Sequence, residues 1–427
     1  MITLPALMGD VWGMLIAFVF LYPLFMSFVW SIGAIAFYFL YERHPHRIVN
    51  QPPALENYPL VAILVPCFNE EAHARETVTA LMELQYPNFE VLMINDGSTD
   101  RTGEILNSLA TEFPRLRVIH NLQNQGKAVG LNTAVQLTKA EILLGIDGDA
   151  RLDPWCLHWM VRHFEEPAVG AVTGNPRVRT RSTLLGRIQV GEFSSMIGLI
   201  KRAQRSVGLV FTVSGVIAAF RRSALYNVGF WSPDKLTEDV DITWRLHLAG
   251  WEVRFEPRAL CWILMPETFR GLWSQRLRWA MGGLQVVFNY WEKLRRRPRL
   301  WLVFAEYFTS MMWAISVAVL VLYRVLDLIL YEVDLQSVPI LLIGCTGLVL
   351  GTVCLMENVL GIFLDRPYDR GLVKNLFWMI WYPVIYWMLV SSTAVCALPA
   401  LMMRKTGKRA TWISPDRGLS SDETPNP

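Results

Sequence analysis

Cysteine is scarce and unpatterned in this 427-residue chain: Cys67, Cys156, Cys261, Cys345, Cys354 and Cys396 form no CxxC and no zinc-like Cys/His spacing. That excludes a zinc-stapled module and supplies no disulfide framework. Three of the thiols lie mid-chain and three in apolar segments, where cysteine behaves as a small buried hydrophobe. A reduced, cytoplasmic central domain follows. Charge is also sparse: Asp, Glu, Lys and Arg make up 18% of residues and the net charge is +3, so no bulk attraction to nucleic acid is built in. A secretory signal is missing too. Asp10 stands where a basic flank belongs, and no small-residue cleavage site follows the first apolar run. There is no internal repeat, and residues 414–427 form a polar, proline-containing tail of poorly ordering composition.

What the chain does have is apolar residues, 53% of the total, collected at residues 11–41 and 301–403. The stretch from 52 to 300 has the mixture of a soluble domain. From Val11 the first charge met is Glu42, a run longer than the ~20 residues that cross a bilayer core, which predicts an uncleaved anchor. Further spans are expected at 301–323, 338–363 and 376–401. Arg43 and Arg47 follow the first span, and Lys293, Arg295, Arg296, Arg297 and Arg299 precede the second. Both flanks belong to the central domain, which the positive-inside tendency places in the cytoplasm of a multi-pass inner-membrane protein. The 324–337 link carries Asp327, Glu332 and Asp334 against Arg324, which suits the far side. Three C-terminal crossings would leave Arg404, Lys405, Lys408 and Arg409 on that far side as well. Either the tendency is overridden, or the last segment, broken by Pro383 and Pro399, re-enters the membrane. The expected organisation is an anchor (1–50), a catalytic domain (51–265), interfacial amphipathic helices (266–300), transmembrane helices (301–403) and a polar tail (404–427).

Within the central domain, residues 60–66 are continuously apolar and end at a turn, as in a strand buried on both faces. Helical character follows over 70–84, a strand over 89–94, a helix over 99–109, a strand over 116–120, a helix over 127–137 and a strand over 142–146. Such alternation predicts an α/β domain with a mostly parallel sheet covered by helices. Ligands bind beyond the carboxyl ends of such strands. Three polar clusters fall there: Cys67-Phe68-Asn69-Glu70, Asn95-Asp96 and Asp147-Gly148-Asp149. After Asp149, Leu185, Ile188, Phe193, Met196, Ile197 and Ile200 recur at helical spacing, which fits a core-facing helix or one lying against a membrane. Residues 266–291 are rich in Trp and Arg, which places them at the interface.

A carboxylate pair flanking glycine can offer oxygens to Mg2+ or Mn2+, with a diphosphate and water completing the shell. A lone D-x-D is commonly a solvated turn, but the position of Asp147 and Asp149 after a buried strand favours a metal site. Asp96 is expected to contact a base or ribose, and Lys127 to reach the uracil or phosphate region. Asp100 reads equally well as a helix cap. Glu238 and Asp239 open a helical pattern, where negative charge is favoured, and Asp239 is the expected general base. Gln275, Arg278 and Trp279 fall at i, i+3 and i+4 on one helix face: a phosphate-pairing guanidinium beside an indole platform for a sugar ring.

The ordered set Asp96, Asp147-Gly148-Asp149, Thr237-Glu238-Asp239 and Gln275-Arg276-Leu277-Arg278-Trp279 resembles the processive family 2 glycosyltransferases, which include cellulose, chitin and hyaluronan synthases. The runs from Val172 to Arg177, Phe211 to Arg222, Cys261 to Thr268 and Trp412 to Gly418 resemble the bacterial poly-β-1,6-N-acetyl-D-glucosamine synthases within it, and the likeness covers nearly the whole chain. One clear N-terminal span stands where relatives can have two.

The resemblance implies a GT-A fold, UDP-N-acetylglucosamine as donor, and inverting transfer onto a growing polysaccharide exported for a biofilm matrix. It assigns nucleotide-sugar contacts to Asp96, Asp147, Gln275, Arg278 and Trp279, and metal to Asp147 and Asp149; Asn69, Glu70 and Lys127 are expected to add nucleotide-sugar contacts from their own positions. It assigns catalysis to Asp239 with Glu238, and the acceptor to Ser214, Gly215 and Trp279. A small membrane subunit and cyclic di-GMP are implied as partners. A chitin- or hyaluronan-type synthase shares these acids. A non-catalytic nucleotide-binding scaffold is the other rival, and intact Asp147, Asp149, Asp239, Arg278 and Trp279 argue against it.

Overall fold

A computed structural model of the chain describes residues 4–43, 49–330, 340–369, 371–404, 407 and 409–411. The run from Trp412 to Gly418, Arg47, Glu332, Asp334, Lys405 and Lys408 lie outside the described residues. Eight strands form one sheet: β1 (Val61–Cys67), β2 (Phe89–Asp96), β3 (Leu116–Asn121), β4 (Ile142–Ile146), β5 (Arg151–Leu152), β6 (Val169–Val178), β7 (Ile217–Arg221) and β8 (Glu252–Ile263), in spatial order β3-β2-β1-β4-β7-β6-β8-β5. β1 pairs in parallel with β2 and β4, and β2 with β3, as the strand–helix alternation predicts. β7 then runs antiparallel to β4 and β6, while β6 and β8 are parallel. β1 shows no polar alternation because both faces are covered. Val61, Ile63 and Val65 enter one core, and Ala62 and Leu64 enter the other.

The first helix of the chain, α1 (Leu4–Phe37), continues as a π turn over Tyr38–Glu42. Around the sheet lie α2 (Ala74–Met82), α3 (Thr102–Glu112), α4 (Lys127–Gln136), α5 (Cys156–Val161), α6 (Leu184–Phe193), α7 (Ile200–Ser206), α8 (Arg222–Val228) and α9 (Glu238–Ala249). The helical periodicity after residue 183 thus resolves into α6, a π segment Ser194–Leu199, and α7. α7 lies flat on the first span. A Cβ at Gly33 would sit 2.7 Å from Ala203 Cβ, so glycine permits that approach.

The C-terminal part comprises α10 (Phe269–Arg295), α11 (Trp301–Leu330), α12 (Ile340–Asp365) and α13 (Tyr382–Met402). By length and apolarity, Val11–Glu42, Pro298–Tyr323, Gly347–Asp365 and Ile385–Met402 can each cross a bilayer. Two boundaries differ from expectation. α11 runs on through residues 324–330 because Val325, Leu326, Ile329 and Leu330 continue its apolar surface. The segment expected as one span over 376–401 divides into a 3₁₀ stretch, Leu372–Trp381, and α13. Pro383 sits in the first turn of α13, where its missing N–H is not needed.

A buried ionic network ties the helix ends to the sheet. Arg202 of α7 donates to Glu42 at 2.7 Å and to Asp365 at 2.8 Å, and Arg177 of β6 reaches Asp365 at 2.5 Å. The Tyr368 hydroxyl closes the cluster on Glu42 at 2.6 Å. Glu42 ends the first span and Asp365 ends α12, so both emerge on the catalytic-domain side. The segment after Asp365 touches that domain at both of its flanks: Asp369 pairs with Arg181 at 2.5 Å, Arg404 donates to the Asp234 carbonyl at 3.3 Å, and Ala410 N–H to the Pro233 carbonyl at 2.9 Å. The described start of the basic tail therefore lies beside the catalytic domain.

Candidate active site

Three strands deliver their carboxyl ends to one edge: β1 to Cys67, β2 to Asp96 and β4 to Asp147. Asp147-Gly148-Asp149 turns there. Gly148 lies over the first of these ends, and a Cβ on it would meet Cys67 Sγ and Glu70 Cγ at 3.1 Å. Thr77 fixes the turn from below by donating to the Gly148 carbonyl at 2.9 Å. Glu70 is fully buried under this turn, with its N–H donated to Thr102 Oγ1 at 2.7 Å. Asn69 adopts a left-handed φ of 57° and accepts from Thr99 N–H at 2.9 Å. Both residues thus shape the floor of the edge. Asp100, just ahead of α3, accepts from Thr102 N–H at 3.0 Å as in an Asx turn, and its hydrogen bonds outweigh its burial and hold its carboxyl below the ordinary range.

Asp96 is fully buried, and its oxygens are already occupied. They accept from Asn121 Nδ2 at 2.8 Å, Gln125 N–H at 3.1 Å and Gly126 N–H at 2.8 Å. It therefore moulds the loop leading into α4, where Gly126 carries a φ of 93° that a side chain resists. The described tail returns to this loop: Arg409 donates to Gln125 Oε1 at 3.1 Å.

Lys127, the first residue of α4, joins the clusters. Its ammonium bonds Asp147, donates to the Gly215 carbonyl at 2.9 Å and lies 3.5 Å from Glu238. Burial alone would lower its pKa; the carboxylates of Asp147 and Glu238 outweigh that and hold it above the ordinary lysine value. Burial raises the Glu238 carboxyl, with Lys127 drawing it back and Asp239 pushing it further up. Asp239, half-buried at the N-terminus of α9, accepts from Gly215 N–H at 3.1 Å and Val240 N–H at 2.9 Å. Ser214 N–H is anchored on Thr173 Oγ1 at 2.8 Å.

α10 crosses beside α9 at close range, since a Cβ at Gly282 would collide with the Thr237 side chain. Arg278 is exposed and touches the Leu236 carbonyl at 3.4 Å. Trp279 leans on the core, while Gln275 Oε1 is buried without a hydrogen-bond partner among the described residues.

Two groups escaped the sequence reading. Arg276 is buried, lies 4.2 Å from the Trp279 ring and pairs with Glu192 at 2.8 Å. Lys201 is buried beneath the Ser214 turn, donating to Ser214 Oγ at 2.8 Å and to the Thr212 carbonyl at 2.9 Å. Burial lowers it to about 7, with Asp239 acting in the opposite sense. No local pattern marks either residue, because each sits among other cations on its helix.

A mixed sheet with acids gathered at its parallel strand ends, set on membrane-length helices, defines a membrane-associated GT-A glycosyltransferase. Residues 59–282 match the family described as "Glycosyltransferase like family 2". The chain is 34% identical over 404 residues to the poly-beta-1,6-N-acetyl-D-glucosamine synthase of Staphylococcus epidermidis, covering 94% of this chain and 98% of that one. Against the synthase of the same name from Staphylococcus aureus (strain N315) it is 34% identical over 407 residues, with 94% and 98% covered. Among solved structures it shares its fold with the mannosyltransferase PcManGT from Pyrobaculum calidifontis in complex with GDP-Man and Mn2+: TM-score 0.67, 20% identity, covering 91% of this chain and 97% of that one. The chain belongs to glycosyltransferase family 2, and it is a glycosyltransferase.

Proposed function

We propose that the chain is a processive, inverting synthase that transfers N-acetylglucosamine from UDP-N-acetylglucosamine to a growing poly-β-1,6-N-acetylglucosamine strand and exports it across the inner membrane for a biofilm matrix. The observation that carries this reading is Lys127 bridging Asp147 and Glu238 beside an Asp239 held by Gly215 N–H. That arrangement concentrates a donor-side cation and an acceptor-side base in one cavity.

In this reading Asp239 takes the proton from the acceptor's sugar hydroxyl as that oxygen attacks the anomeric carbon; the glycosidic bond forms while the bond to UDP breaks. The N–H groups of Gly215 and Val240 fix the carboxylate, and the Ser214–Gly215 turn seats the acceptor. Asn69, Glu70 and Asp96 shape the nucleoside edge. Gln275 and Arg278 face the diphosphate, and Trp279 offers its ring to a sugar. Lys127, cationic through its carboxylate neighbours, stays charged at neutral pH.

The donor set fits a divalent cation: Asp147 and Asp149 present hard oxygens, and Asp147 already holds the Lys127 ammonium. No group of three or more His, Cys, Asp or Glu able to hold a metal occurs among the described residues, so the diphosphate and water would complete the shell. Mg2+ is proposed, with Mn2+ as the substitute; when bound, it neutralises charge on the departing diphosphate. The catalytic domain is assigned to residues 51–265 and to the cytoplasmic side. A small membrane subunit and cyclic di-GMP are proposed as partners on the strength of the resemblance.

The test is incubation of membranes with UDP-N-acetylglucosamine and Mg2+, followed by digestion with hexosaminidases specific for β-1,6 or β-1,4 links. Polymer that resists the β-1,6 enzyme defeats the linkage. No polymer from any UDP-sugar, with the accessory subunit present, defeats the synthase reading.

A further inference from the structure

A cavity of about 430 Å3 lies at the end of the first span, between that span, α7 and β8. Leu40 and Tyr41 wall it from the span. Arg205 comes from α7, Arg254 and Arg258 from β8, and Arg162 from the turn after α5. It shares no lining residue with the carboxylate cluster of the active site.

Two of its three acids are already committed. Glu42 is bound by Arg202 at 2.7 Å and by Tyr368. Glu256 accepts from His163 at 2.9 Å and from Arg258 N–H at 3.0 Å, and those neighbours overcome its burial to hold its carboxyl below the ordinary range. Glu165, exposed, faces the Glu56 N–H at 3.4 Å. Arg254 pairs with Glu252 at 2.9 Å. Arg205 makes no ion pair among the described residues and lies 5.6 Å from the Tyr41 ring. Burial and the nearby Arg254 lower its pKa, so two like charges share one wall with too few counter-ions.

We propose that this cavity binds the phosphodiester headgroup of an anionic phospholipid. Guanidinium forks match phosphate oxygens in two-point fashion. At roughly 30 Å3 per water the volume equals that of about fourteen waters, enough for a glycerol phosphate. The rim argues for a lipid rather than a free anion. Phe39, Leu40 and Tyr41 are 54%, 58% and 46% exposed at the end of a membrane-length helix, and Val207 on the neighbouring turn is 57% exposed. Acyl chains can lie along α1 while the headgroup turns inward. Basic groups at a leaflet surface attract anionic lipid in this manner.

The full chain, purified into nanodiscs of phosphatidylcholine with or without phosphatidylglycerol, tests this by native mass spectrometry of co-retained lipid. Wild type is expected to keep phosphatidylglycerol selectively. Arg205→Gln and Arg162→Gln should each reduce retention roughly fivefold, the surface value of one cationic side chain, while UDP binding and turnover in phosphatidylcholine stay unchanged. Arg205→Lys, which keeps the charge, should restore most of the retention and so separates binding from misfolding. Equal retention by wild type and the Arg205→Gln, Arg162→Gln double variant overturns the proposal. So does displacement of the lipid by soluble glycerol phosphate or cyclic di-GMP at concentrations that leave lipid bound to an unrelated membrane protein.

Discussion

Replacing Asp239 by Asn tests the proposed chemistry at one atom. The amide has the size of the carboxylate, and its oxygen can still accept the Gly215 N–H now at 3.1 Å. The bond from Thr243 Oγ1 goes to the Asp239 backbone carbonyl at 2.6 Å and survives, so the structural cost is confined to the bond that the second oxygen accepts from Val240 N–H at 2.9 Å. What disappears is the capacity to take a proton. A positioned general base contributes ~10²–10⁴-fold, about 3–5 kcal/mol of barrier at ~1.36 kcal/mol per decade. A coupled assay of UDP release should therefore show kcat lower by that factor, with UDP affinity by calorimetry within about threefold of wild type. Removing the negative charge also withdraws one cause of the raised Glu238 carboxyl, so affinity for the donor is not expected to fall. Near-normal turnover would remove Asp239 as the base. A parallel collapse of UDP binding would instead make it part of the donor pocket.

Lys201 titrates near 7 when folded against 10.5 in the open chain, so between those values the unfolded state holds the extra proton and stability rises with pH. Lys201→Met should flatten that rise in melting curves taken from pH 7 to 9, and parallel slopes would refute it. Asp365→Ala removes the counter-ion that Arg177 and Arg202 share, leaving Arg202 on Glu42 and Arg177 only the more distant Asp369 at 3.8 Å, and should cost about 3 kcal/mol of stability in detergent; an unchanged unfolding midpoint contradicts the network's importance. Arg409→Ala removes the exposed contact to Gln125 and should raise KM for the donor severalfold while leaving kcat nearly intact. If the tail has no part in holding the donor loop, KM will not move.

Much of the fold could be read in the chain because periodicity and termination are local. The unbroken apolar run of β1 announces a strand covered on both faces, and Asp147 announces the end of β4. Roles proved harder to read than positions. Asp96 stands at the strand end where it was expected, yet its carboxylate is taken up by Asn121, Gln125 and Gly126. Helical spacing correctly put Gln275, Arg278 and Trp279 on one helix, but it could not say that Arg278 would be exposed and Trp279 packed on the core. Nor could it say that the unassigned Arg276 between them would pair with Glu192.

Local order along the chain dictates which segments are strands, which helices are apolar enough for lipid, and which acids stand at strand ends. Each follows from neighbours a few residues away. Three-dimensional packing made Lys127 bridge Asp147 and Glu238, set Lys201 under Ser214, and let Glu42, Arg202 and Asp365 lock two membrane-length helices to α7. These contacts join groups separated by up to 163 positions. Electrostatic pairing depends on distance in space and on the removal of water, and neither is written into local order.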